Sequence, residues 1–548
     1  MTLPDPEPAA PAESPRARWI AAISIVALVA LVVVAYAPSL SGQWLDYDDG
    51  WLIRDNRILG DASPAALLTV FTDVSRATRH VLGAEYLPVR DLSVWLELRT
   101  FGASPWPMRA VSLAIYAAAC ALLLVWARRT PGVPVLAVWL FALHPVHVES
   151  AAWLAGRKDV LALFFTAAAL CAWSSERAGL RRLLAPLLVA LACFSKAMSV
   201  IVPCLFLAHD LLARRRSDRG ALALAGAVAV FAAVVHAQVG ATVSMYATLP
   251  GGSRLSAIAT MAPVFWRYVA LSVGVVQPSL AHAVPPRTPA DPLAILALVG
   301  LVALVAGATW AWRRGERRPA FALLWFCAAL LPVSQVLAPL QNRMADRYLF
   351  VAVLGPCVIV AALVEGLALR AHRVLAPVLR VALVVACLAV TVPYAALFAD
   401  PVACFADLTV RAPWSSLGPY QAAMALESRG RLDVAEGGFR EALRREGGGT
   451  VGGRRAANNL ALLLARTGRR DEAIAILRRA RRESPPDAKV LHNLASLLDD
   501  AGAREEARAL FEELLRRFPD YENGRAGFQR RFGVGPVRRV GDGIPQPP

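Results

Sequence analysis

The segment WLDYDDGWLIRDN, from Trp44 to Asn56, carries the adjacent carboxylates Asp48 and Asp49 directly after the first long apolar stretch. A carboxylate held beside an acceptor hydroxyl can act as a general base in group transfer. We therefore take Asp48 and Asp49 as candidate catalytic residues and Asn56 as a candidate substrate contact. Acidic pairs beside a membrane helix are also common as solvated turn residues, so the pair alone leaves that alternative open. Neighbouring side chains in an extended segment point opposite ways, which predicts one base and one partner of a cation, with Asp48 favoured as the base.

Polar residues also interrupt the apolar sequence in three later segments, HPVHVESAAWLAGRKDV, FSKAMSV and QNRMADRYLF. Ionisable groups are costly at membrane depth, so their presence among apolar residues indicates function. A fourth set, PVRD, lies nearer the amino terminus. The candidate substrate-binding residues in these four sets are Arg90, His144, His147, Glu149, Arg157, Lys158, Lys196, Arg343, Asp346 and Arg347.

Each set has a structural alternative. His147 and Glu149 are spaced so that they could ligate a divalent metal, but imidazoles also form ordinary hydrogen bonds within packed turns. Lys196 could bind a lipid phosphate or extend to the membrane interface. The arginines of QNRMADRYLF could bind an anion or pair with a nearby carboxylate.

Carboxylates beside arginine and lysine suit the transfer of a sugar from a lipid phosphate. One carboxylate accepts the proton of the attacking hydroxyl. The phosphate that departs needs cations rather than a proton, so one acidic centre among basic residues is sufficient. A glycosidase would require a second carboxyl group as general acid across the sugar. The residue types therefore favour transfer over hydrolysis.

The elements that position these residues are predicted to be membrane helices. The 548 residues are 57% hydrophobic and only 18% charged, which excludes a chain of soluble domains. The net charge of +17 comes largely from clusters of Lys and Arg at the ends of apolar blocks, where orientation in the membrane requires them, so we do not expect nucleic acid as a partner. The eight cysteines lack the paired spacing of a zinc or disulfide framework.

The charge pattern predicts about eleven crossings of a cell inner membrane. Residues 1–18 are predicted to be a disordered cytoplasmic tail, and residues 19–400 a polytopic helical domain. Its first extracytoplasmic loop covers residues 41–108. The block Ile258–Val276 is long enough to cross, but keeping every basic cluster inside requires that it does not. All the candidate residues then lie on the outer side, and several apolar blocks shorter than twenty residues predict a buried central site.

A 34-residue period begins beyond the last apolar block. Asn459, Gly468, Ala473 and Pro485 recur as Asn493, Gly502, Ala507 and Pro519. This is the tetratricopeptide period, and an earlier copy precedes it, so about three repeats are expected over residues 415–525. The predicted partner is an extracytoplasmic protein or peptide on the concave face, with a rigid spacer as the alternative. Residues 533–548 are predicted to be a disordered tail.

The four stretches YDDGWLIRDN, HPVHVESAAWLAGRKDV, FSKAMSV with PCLFLAHDLL, and QNRMADRYLFVAVLG, followed by the repeats, resemble the transmembrane and tetratricopeptide-repeat O-mannosyltransferases and their bacterial relatives. The resemblance implies an all-α protein of the GT-C fold and a polyprenyl phosphate sugar, often of mannose, as donor. It also implies that Asp48 and Asp49 are the acidic motif of the first outer loop, and that the anomeric carbon is inverted. Relatives often carry Asn and His where this chain has Ser112 and Tyr116, so the donor sugar stays open.

The sequence thus predicts a membrane glycosyltransferase that modifies Ser or Thr of an extracytoplasmic protein, with its amino terminus in the cytoplasm and its repeats outside. Lipid-linked sugar donor, protein acceptor and membrane lipids are the expected partners. Two alternatives remain: a non-catalytic scaffold that assembles partners through the repeats, and a transporter or flippase of a lipid-linked sugar. A lipid or polysaccharide acceptor and a metal requirement are also left open.

Overall fold

The structure, a computed structural model, describes residues 14–45, 47–370, 375–447 and 450–533. It divides into two compact units, the first ending at Asp400 and the second beginning at Pro401. Within the described ranges the regular structure is entirely helical, with no β-strand. The all-α class predicted from the sequence is therefore confirmed.

The first unit begins with one long helix, continues through short helices of the first loop, and returns to a second long helix. In chain order these are α1 (Pro15–Tyr36), α2 (Arg57–Gly60), α3 (Pro64–Thr72), α4 (Arg76–Val81), α5 (Pro88–Phe101) and α6 (Pro105–Arg129). Prolines at the first positions of α1, α3, α5 and α6 suit these helix starts, where no backbone N–H is needed.

Long and short apolar helices alternate through the rest of this unit. They are α7 (Val135–Ala142), α8 (Val148–Ala152), α9 (Arg157–Trp173), α10 (Ala185–Ser195), α11 (Val202–Ala213), α12 (Arg219–Thr242), α13 (Arg254–Ser272), α14 (Pro292–Arg313), α15 (Arg318–Leu330), α16 (Leu349–Ala352), α17 (Leu354–Arg370) and α18 (Leu375–Leu397). Helix α9 packs between α6 and α10, and the large side chains of Tyr116 and Trp126 on α6 and of Trp173 on α9 are buried.

The start of α1 corrects one prediction. Residues 1–13 of the predicted tail lie outside the described residues, but Pro15 to Arg18 form the first turn of α1 rather than a disordered segment. The Ser14 hydroxyl accepts a hydrogen bond from the Ala17 N–H and caps the helix, and Pro15 occupies its first position. This capping allows the helix to begin before the apolar run.

Six helices in the described residues are long and apolar enough to cross a membrane. They are Pro15–Ser39, Pro105–Arg129, Arg219–Thr242, Arg254–Ser272, Pro292–Arg313 and Leu375–Leu397. Two bent pairs, Val135–Ala142 with Pro145–Ala152 at 48° and Asp346–Ala352 with Leu354–Leu367 at 58°, raise the number to eight if each is one span. The larger predicted number, about eleven, counts apolar blocks that fold as shorter helices.

Helix α13 is one of the six by length, although the charge pattern predicts that the corresponding block does not cross. The N–H of Ala247, shortly before α13, donates to the Pro339 carbonyl at 2.9 Å. The carbonyl of Ser272, its last residue, lies 3.1 Å from His144 Nε2. Pro339 and His144 each adjoin a candidate polar segment, so the chain before α13 and the last residue of α13 both contact such segments. By length and composition α13 could cross, so the non-crossing orientation stays a prediction from the charge pattern.

The second unit is a succession of helical hairpins. Its helices are α19 (Pro401–Arg411), α20 (Leu417–Ser428), α21 (Leu432–Glu446), α22 (Val451–Arg466), α23 (Arg470–Glu483), α24 (Ala488–Asp500), α25 (Arg504–Arg517) and α26 (Glu522–Phe532). Each of the pairs α20–α21, α22–α23 and α24–α25 packs together, and each pair also packs on its neighbour. Of the predicted tail, only residue 533 lies within the described residues.

Repeated glycines and alanines explain these hairpins. Gly430, Gly468 and Gly502 end the first helix of each pair with φ values of 75°, 86° and 85°, a left-handed conformation that strongly favours glycine. In the second helix of each pair the equivalent alanines, Ala435, Ala473 and Ala507, are fully buried. Small side chains at these positions let the paired helices approach closely, as the period predicts.

Candidate active site

Asp49 is buried and fixes the first loop to a distant turn. Its Oδ2 accepts a hydrogen bond from the Leu45 N–H at 3.1 Å, and its Oδ1 accepts one from the Ala155 N–H at 3.0 Å. Burial raises the pKa of Asp49 to about 7, although Arg109 and the two N–H groups act in the opposite direction. Because both carboxyl oxygens accept hydrogen bonds from backbone N–H groups, this geometry suits a residue that holds the first loop in position.

Asp48 is only partly buried and has different surroundings. Its Oδ1 accepts a hydrogen bond from Trp51 Nε1 at 3.3 Å. Burial raises its pKa, while Trp51, Lys158 and Arg347 act to lower it. Asp48 therefore lies within electrostatic range of Lys158 and Arg347. It also has a carboxylate oxygen that accepts no hydrogen bond from the backbone of the described residues.

The backbone here differs from the extended segment assumed from the sequence. Asp49 has helical dihedral angles, φ −62° and ψ −36°, and begins the π-helical turn Gly50–Arg54. Successive side chains in a helical turn diverge by about 100° rather than 180°. The two carboxylates still occupy different environments, but for this helical reason.

Three candidate cations each pair with a carboxylate, and two of them, Lys158 and Arg347, act electrostatically on Asp48. Lys158 Nζ lies 2.5 Å from Glu85 Oε2. Lys196 pairs with Asp159, and Arg347 pairs with Glu149, whose other oxygen also accepts the Arg347 N–H at 3.0 Å.

The charges of this cluster are strongly coupled. Burial acts to raise the pKa of Glu85, but Lys158 and Arg90 outweigh it and lower that pKa to about 2. Burial, followed by the charges of Lys158 and Arg347, holds the pKa of Lys196 well below its usual value. Each of the three cations is balanced by one carboxylate, so an additional anion at this cluster would have to compete with those carboxylates for the cations.

These cations line a cavity of about 520 Å³. Glu85, Lys158, Lys196 and Arg347 contribute charged groups to its wall, and Gln341, Asn342 and Tyr348 add polar ones. Most of the remaining wall is apolar, with residues from α12 and from the segment 332–340. A charged region continuous with an apolar one is the arrangement that an amphiphilic phosphate compound requires.

Local sequence explains how two of the cations reach this cavity. A Cβ on Gly156 would lie 2.3 Å from the Ser150 carbonyl oxygen, so only glycine permits the close turn between α8 and α9 that precedes Lys158. Lys196 has an extended backbone, φ −156° and ψ 128°, between α10 and the 3₁₀ turn Ala197–Ile201. The break in the helix leaves its side chain at the cavity wall.

Three predicted substrate contacts have structural partners instead. Arg157 is buried and donates to Glu97, to Ser112 Oγ at 2.8 Å and to the Met108 carbonyl at 2.7 Å. Arg90 pairs with Asp91 and donates to the Leu82 carbonyl. Asn56 caps α2 and donates to the carbonyls of Leu52 and Val81. Among the residues that line the cavity, none of the three is present.

Each candidate metal ligand contacts a protein group through at least one atom, whereas the buried His147 Nε2 has no hydrogen-bond partner among the described residues. His144 lies against the Ser272 carbonyl and accepts the Val146 N–H, and His147 Nδ1 is 2.7 Å from the Tyr116 hydroxyl. Glu149 pairs with Arg347. Across the part of the chain that the structure describes, no three or more His, Cys, Asp or Glu side chains form a group that could hold a metal ion. The metal requirement stays a prediction.

The last two candidates lie at a different place. Arg343 Nη1 donates to the Val284 carbonyl at 2.8 Å. Asp346 accepts hydrogen bonds from the Ser279 N–H at 2.6 Å and lies 2.7 Å from His282 Nε2. Both side chains thus contact the segment between α13 and α14, whereas the adjacent Arg347 faces the cavity.

Sequence reasoning missed the carboxylates that pair with the cations, above all Glu85 and Glu97. Asp159 belongs to a quoted motif but is not among the predicted site residues. Charge balance was the signal that could have found them. Buried cations require carboxylate partners, and the first loop contains acidic residues. No spacing rule connects Glu85 with Lys158 or Glu97 with Arg157, because they are brought together only by packing of the loop on α9.

Comparisons with known proteins agree with the sequence motifs. Residues 464–526 match the tetratricopeptide-repeat family. The chain is 29% identical over 162 residues to the mouse protein O-mannosyl-transferase TMTC1, over 28% of this chain and 17% of that protein. It is 26% identical over 223 residues to the Caenorhabditis elegans protein O-mannosyl-transferase F38B6.6, over 38% of this chain and 31% of that protein.

A third match, to human protein O-mannosyl-transferase TMTC1, is 30% identical over 141 residues, 24% of this chain and 15% of the relative. The chain thus spans less than a third of the length of each of these curated relatives. The resemblance indicated by the motifs and the repeats is confirmed by these matches. They support a glycosyltransferase role in general terms.

Proposed function

We propose that this protein is an integral-membrane glycosyltransferase that moves a sugar from a polyprenyl phosphate to a Ser or Thr hydroxyl of a protein. The observation that carries the proposal is the cavity in which Lys158, Lys196 and Arg347 adjoin apolar walls, with Asp48 in electrostatic range. Mannose is favoured as the sugar because the similar proteins are named protein O-mannosyl-transferases. The membrane is a cell inner membrane, with the repeats on the extracytoplasmic side.

In this proposal the three cations bind the donor phosphate and stabilise it as it departs. Hydrogen bonds from charged donors to phosphate are stronger than neutral ones, and their contribution grows in a site with little water. The apolar wall from α12 and segment 332–340 holds the first part of the lipid chain. Glu85, which pairs with Lys158 in the described structure, must yield that cation to the phosphate.

Asp48 acts as the base. The acceptor oxygen attacks the anomeric carbon while the bond from that carbon to the phosphate oxygen breaks. The hydroxyl proton passes to the Asp48 carboxylate, the electron pair of the broken bond leaves with the polyprenyl phosphate, and the configuration inverts. Asp49 holds the loop through Leu45 and Ala155 so that Asp48 faces the reacting atoms. The repeats present the acceptor protein.

The experiment measures transfer by purified protein from labelled polyprenyl phosphate mannose to a Ser/Thr-containing peptide. Asp48→Asn should lower the rate by at least about a hundredfold, because general base catalysis contributes roughly 10²–10⁴. Asp55→Asn is the matched control, since Asp55 is an exposed acid in the same loop that pairs with Arg54. Full activity of Asp48→Asn would overturn the assignment of the base, and activity with a different donor sugar would overturn only the choice of mannose.

A second pair of variants tests the phosphate site. Lys158→Gln should weaken binding of polyprenyl phosphate about tenfold, because a hydrogen bond to a charged group contributes roughly 1.5–3 kcal/mol. Arg343→Gln should leave that affinity unchanged, because its guanidinium contacts Val284 instead. Equal losses in both variants would contradict the cavity as the donor site. If Asp48→Asn alone leaves function in cells intact while deletion of the repeats abolishes it, the scaffold alternative replaces the enzyme.

A further inference from the structure

The position of Arg343 leads to a second cavity. The Val284 carbonyl that accepts its hydrogen bond belongs to the wall of a cavity of about 550 Å³ between α13 and α14. Residues of both helices and of the segment that connects them line it. None of the four charged residues at the wall of the first cavity contributes to this one. It is therefore a separate site within the first unit.

The cavity is mostly apolar and adjoins the exposed apolar face of α14. Pro263, Trp266 and Leu296 contribute to its wall, and Leu293 and Leu296 are themselves exposed. Further along α14, other apolar residues on the same helix, including Val299, are exposed as well. In a helix that is a candidate membrane span, an exposed apolar face contacts lipid chains. The cavity is thus accessible from the hydrocarbon region.

Trp266 and Gly300 build one side of this cavity. The Trp266 indole Nε1 donates to the Ala297 carbonyl at 2.9 Å. A Cβ on Gly300 would lie 2.9 Å from Trp266 Cζ2, so the indole fits against α14 because position 300 is glycine. Tryptophan with an apolar body and a bonded N–H is typical of the membrane interface, where lipid headgroups lie.

Arginines supply the charge at this cavity. Arg267 and Arg287 are part of the wall, and Arg267 Nη1 donates to the Ala283 carbonyl at 2.6 Å. Arg287 pairs with Asp291 at 2.7 Å. In the part of the chain that is described, neither Arg267 nor Arg343 forms an ion pair, and the nearby Asp346 contacts His282. Positive charge is therefore in excess around the segment 283–287.

We propose that this cavity binds an anionic phospholipid, with its phosphate at Arg267 and Arg287 and its acyl chain between α13 and α14. The excess arginine charge fits the phosphate, and arginine is suited to bidentate phosphate binding. Basic pockets between membrane helices bind anionic headgroups in the same manner. A second donor molecule fits less well, because Asp291, the carboxylate beside Arg287, is already paired with that arginine.

Native mass spectrometry tests the proposal on the full-length protein in detergent. Phosphatidylglycerol and phosphatidylcholine are added at equal concentration, in separate samples and together. The wild-type protein should retain one phosphatidylglycerol in preference to phosphatidylcholine. Arg267→Gln with Arg287→Gln should lower that retention at least tenfold. Arg254→Gln, an exposed arginine at the start of the same helix, should behave as wild type.

A cavity-filling variant keeps the test decisive if the double variant does not fold. Ala270→Phe places an aromatic ring in the cavity while leaving both arginines, and it should also displace phosphatidylglycerol. Equal retention of the two phospholipids by the wild-type protein would overturn the proposal. Unchanged retention in Ala270→Phe, or displacement of phosphatidylglycerol by polyprenyl phosphate at this site, would overturn it as well. Loss of transfer activity does not enter these outcomes, so they are independent of the proposed function.

Discussion

Arginine–carboxylate pairs have different consequences in the two units. In the first unit Arg157 and Glu97 have side chains only 2% and 8% exposed, and the arginine also bonds to Ser112 and Met108. In the second unit Arg508 and Glu512 are 62% and 53% exposed and lie one helical turn apart at 3.1 Å. The same two chemical groups are thus surrounded by protein in one place and by water in the other.

This difference indicates what holds each unit together. Removing one partner of a buried pair leaves an uncompensated charge in protein, whereas exposed pairs contribute little. The repeat unit depends instead on buried small and apolar side chains such as Ala473, Leu494 and Phe511. In the first unit, buried ion pairs connect the loop to the helices, so the polar residues there position the site as well as the fold.

The largest effect on stability is expected from Arg157→Met. Glu97 would lose its cation while remaining buried, which costs roughly 3–5 kcal/mol. The measurement is the free energy of unfolding of the purified protein in detergent, followed by chemical denaturation. The double variant Arg157→Met with Glu97→Leu should recover most of the loss, since it removes both charges. A single variant as stable as wild type would show that water reaches Glu97.

The second unit could be predicted more fully than the first because its information is local. A period of 34 residues places Gly468 and Gly502 at the same point of successive hairpins, and both have the left-handed backbone that such turns require. Ala473 and Ala507 follow at the same interval and are buried where helices meet. Each repeat contacts mainly its neighbours, so a pattern along the chain is sufficient to specify it.

The candidate site depends on contacts that no local pattern specifies. Arg157 and Lys158 are adjacent and both were predicted to bind substrate. They begin α9, where successive side chains diverge by about 100°. Arg157 consequently faces Glu97 and Ser112, and Lys158 faces Glu85 and the cavity. In the 3₁₀ turn Asp346–Tyr348, neighbouring side chains also diverge, so Asp346 contacts His282 while Arg347 lies at the cavity. Residue type alone does not distinguish these neighbours, because only packing decides which of the two side chains faces the cavity.

Asp49 is intermediate between the buried and the exposed ion pairs. Its carboxyl group is buried, but its hydrogen-bond donors are backbone N–H groups rather than an arginine. Its pKa of about 7 in the folded protein exceeds the value of 3.8 for the free side chain. The folded state therefore binds a proton more tightly between about pH 4 and 7, and this contribution to stability is lost as the pH rises through that window. Asp49→Asn should flatten the pH dependence of the unfolding free energy there. The change should be smaller than the loss in Arg157→Met.

Asp55→Asn is the control for this pH experiment, because Asp55 is exposed and its pKa is lowered by Arg54 rather than raised. It should leave the profile between pH 5 and 7 unchanged. If the unfolding free energy rises with pH over this range in the wild type and rises equally in Asp49→Asn, then Asp49 does not hold a proton in the folded protein. That result would mean that the two backbone N–H groups hold the carboxylate in its charged form.

The smallest effect is expected from Arg508→Ala in the repeats. Its pair with Glu512 is exposed, so the loss should not exceed about 0.5 kcal/mol. Hydrogen-exchange mass spectrometry over α24 and α25 can resolve this unit without unfolding the rest of the chain. Leu494→Ala, which removes a buried side chain from the same pair of helices, should reduce protection by roughly 2–5 kcal/mol. Comparable losses in the two variants would mean that surface charges stabilise the repeats as strongly as their core does, and the contrast with Arg157 would no longer hold.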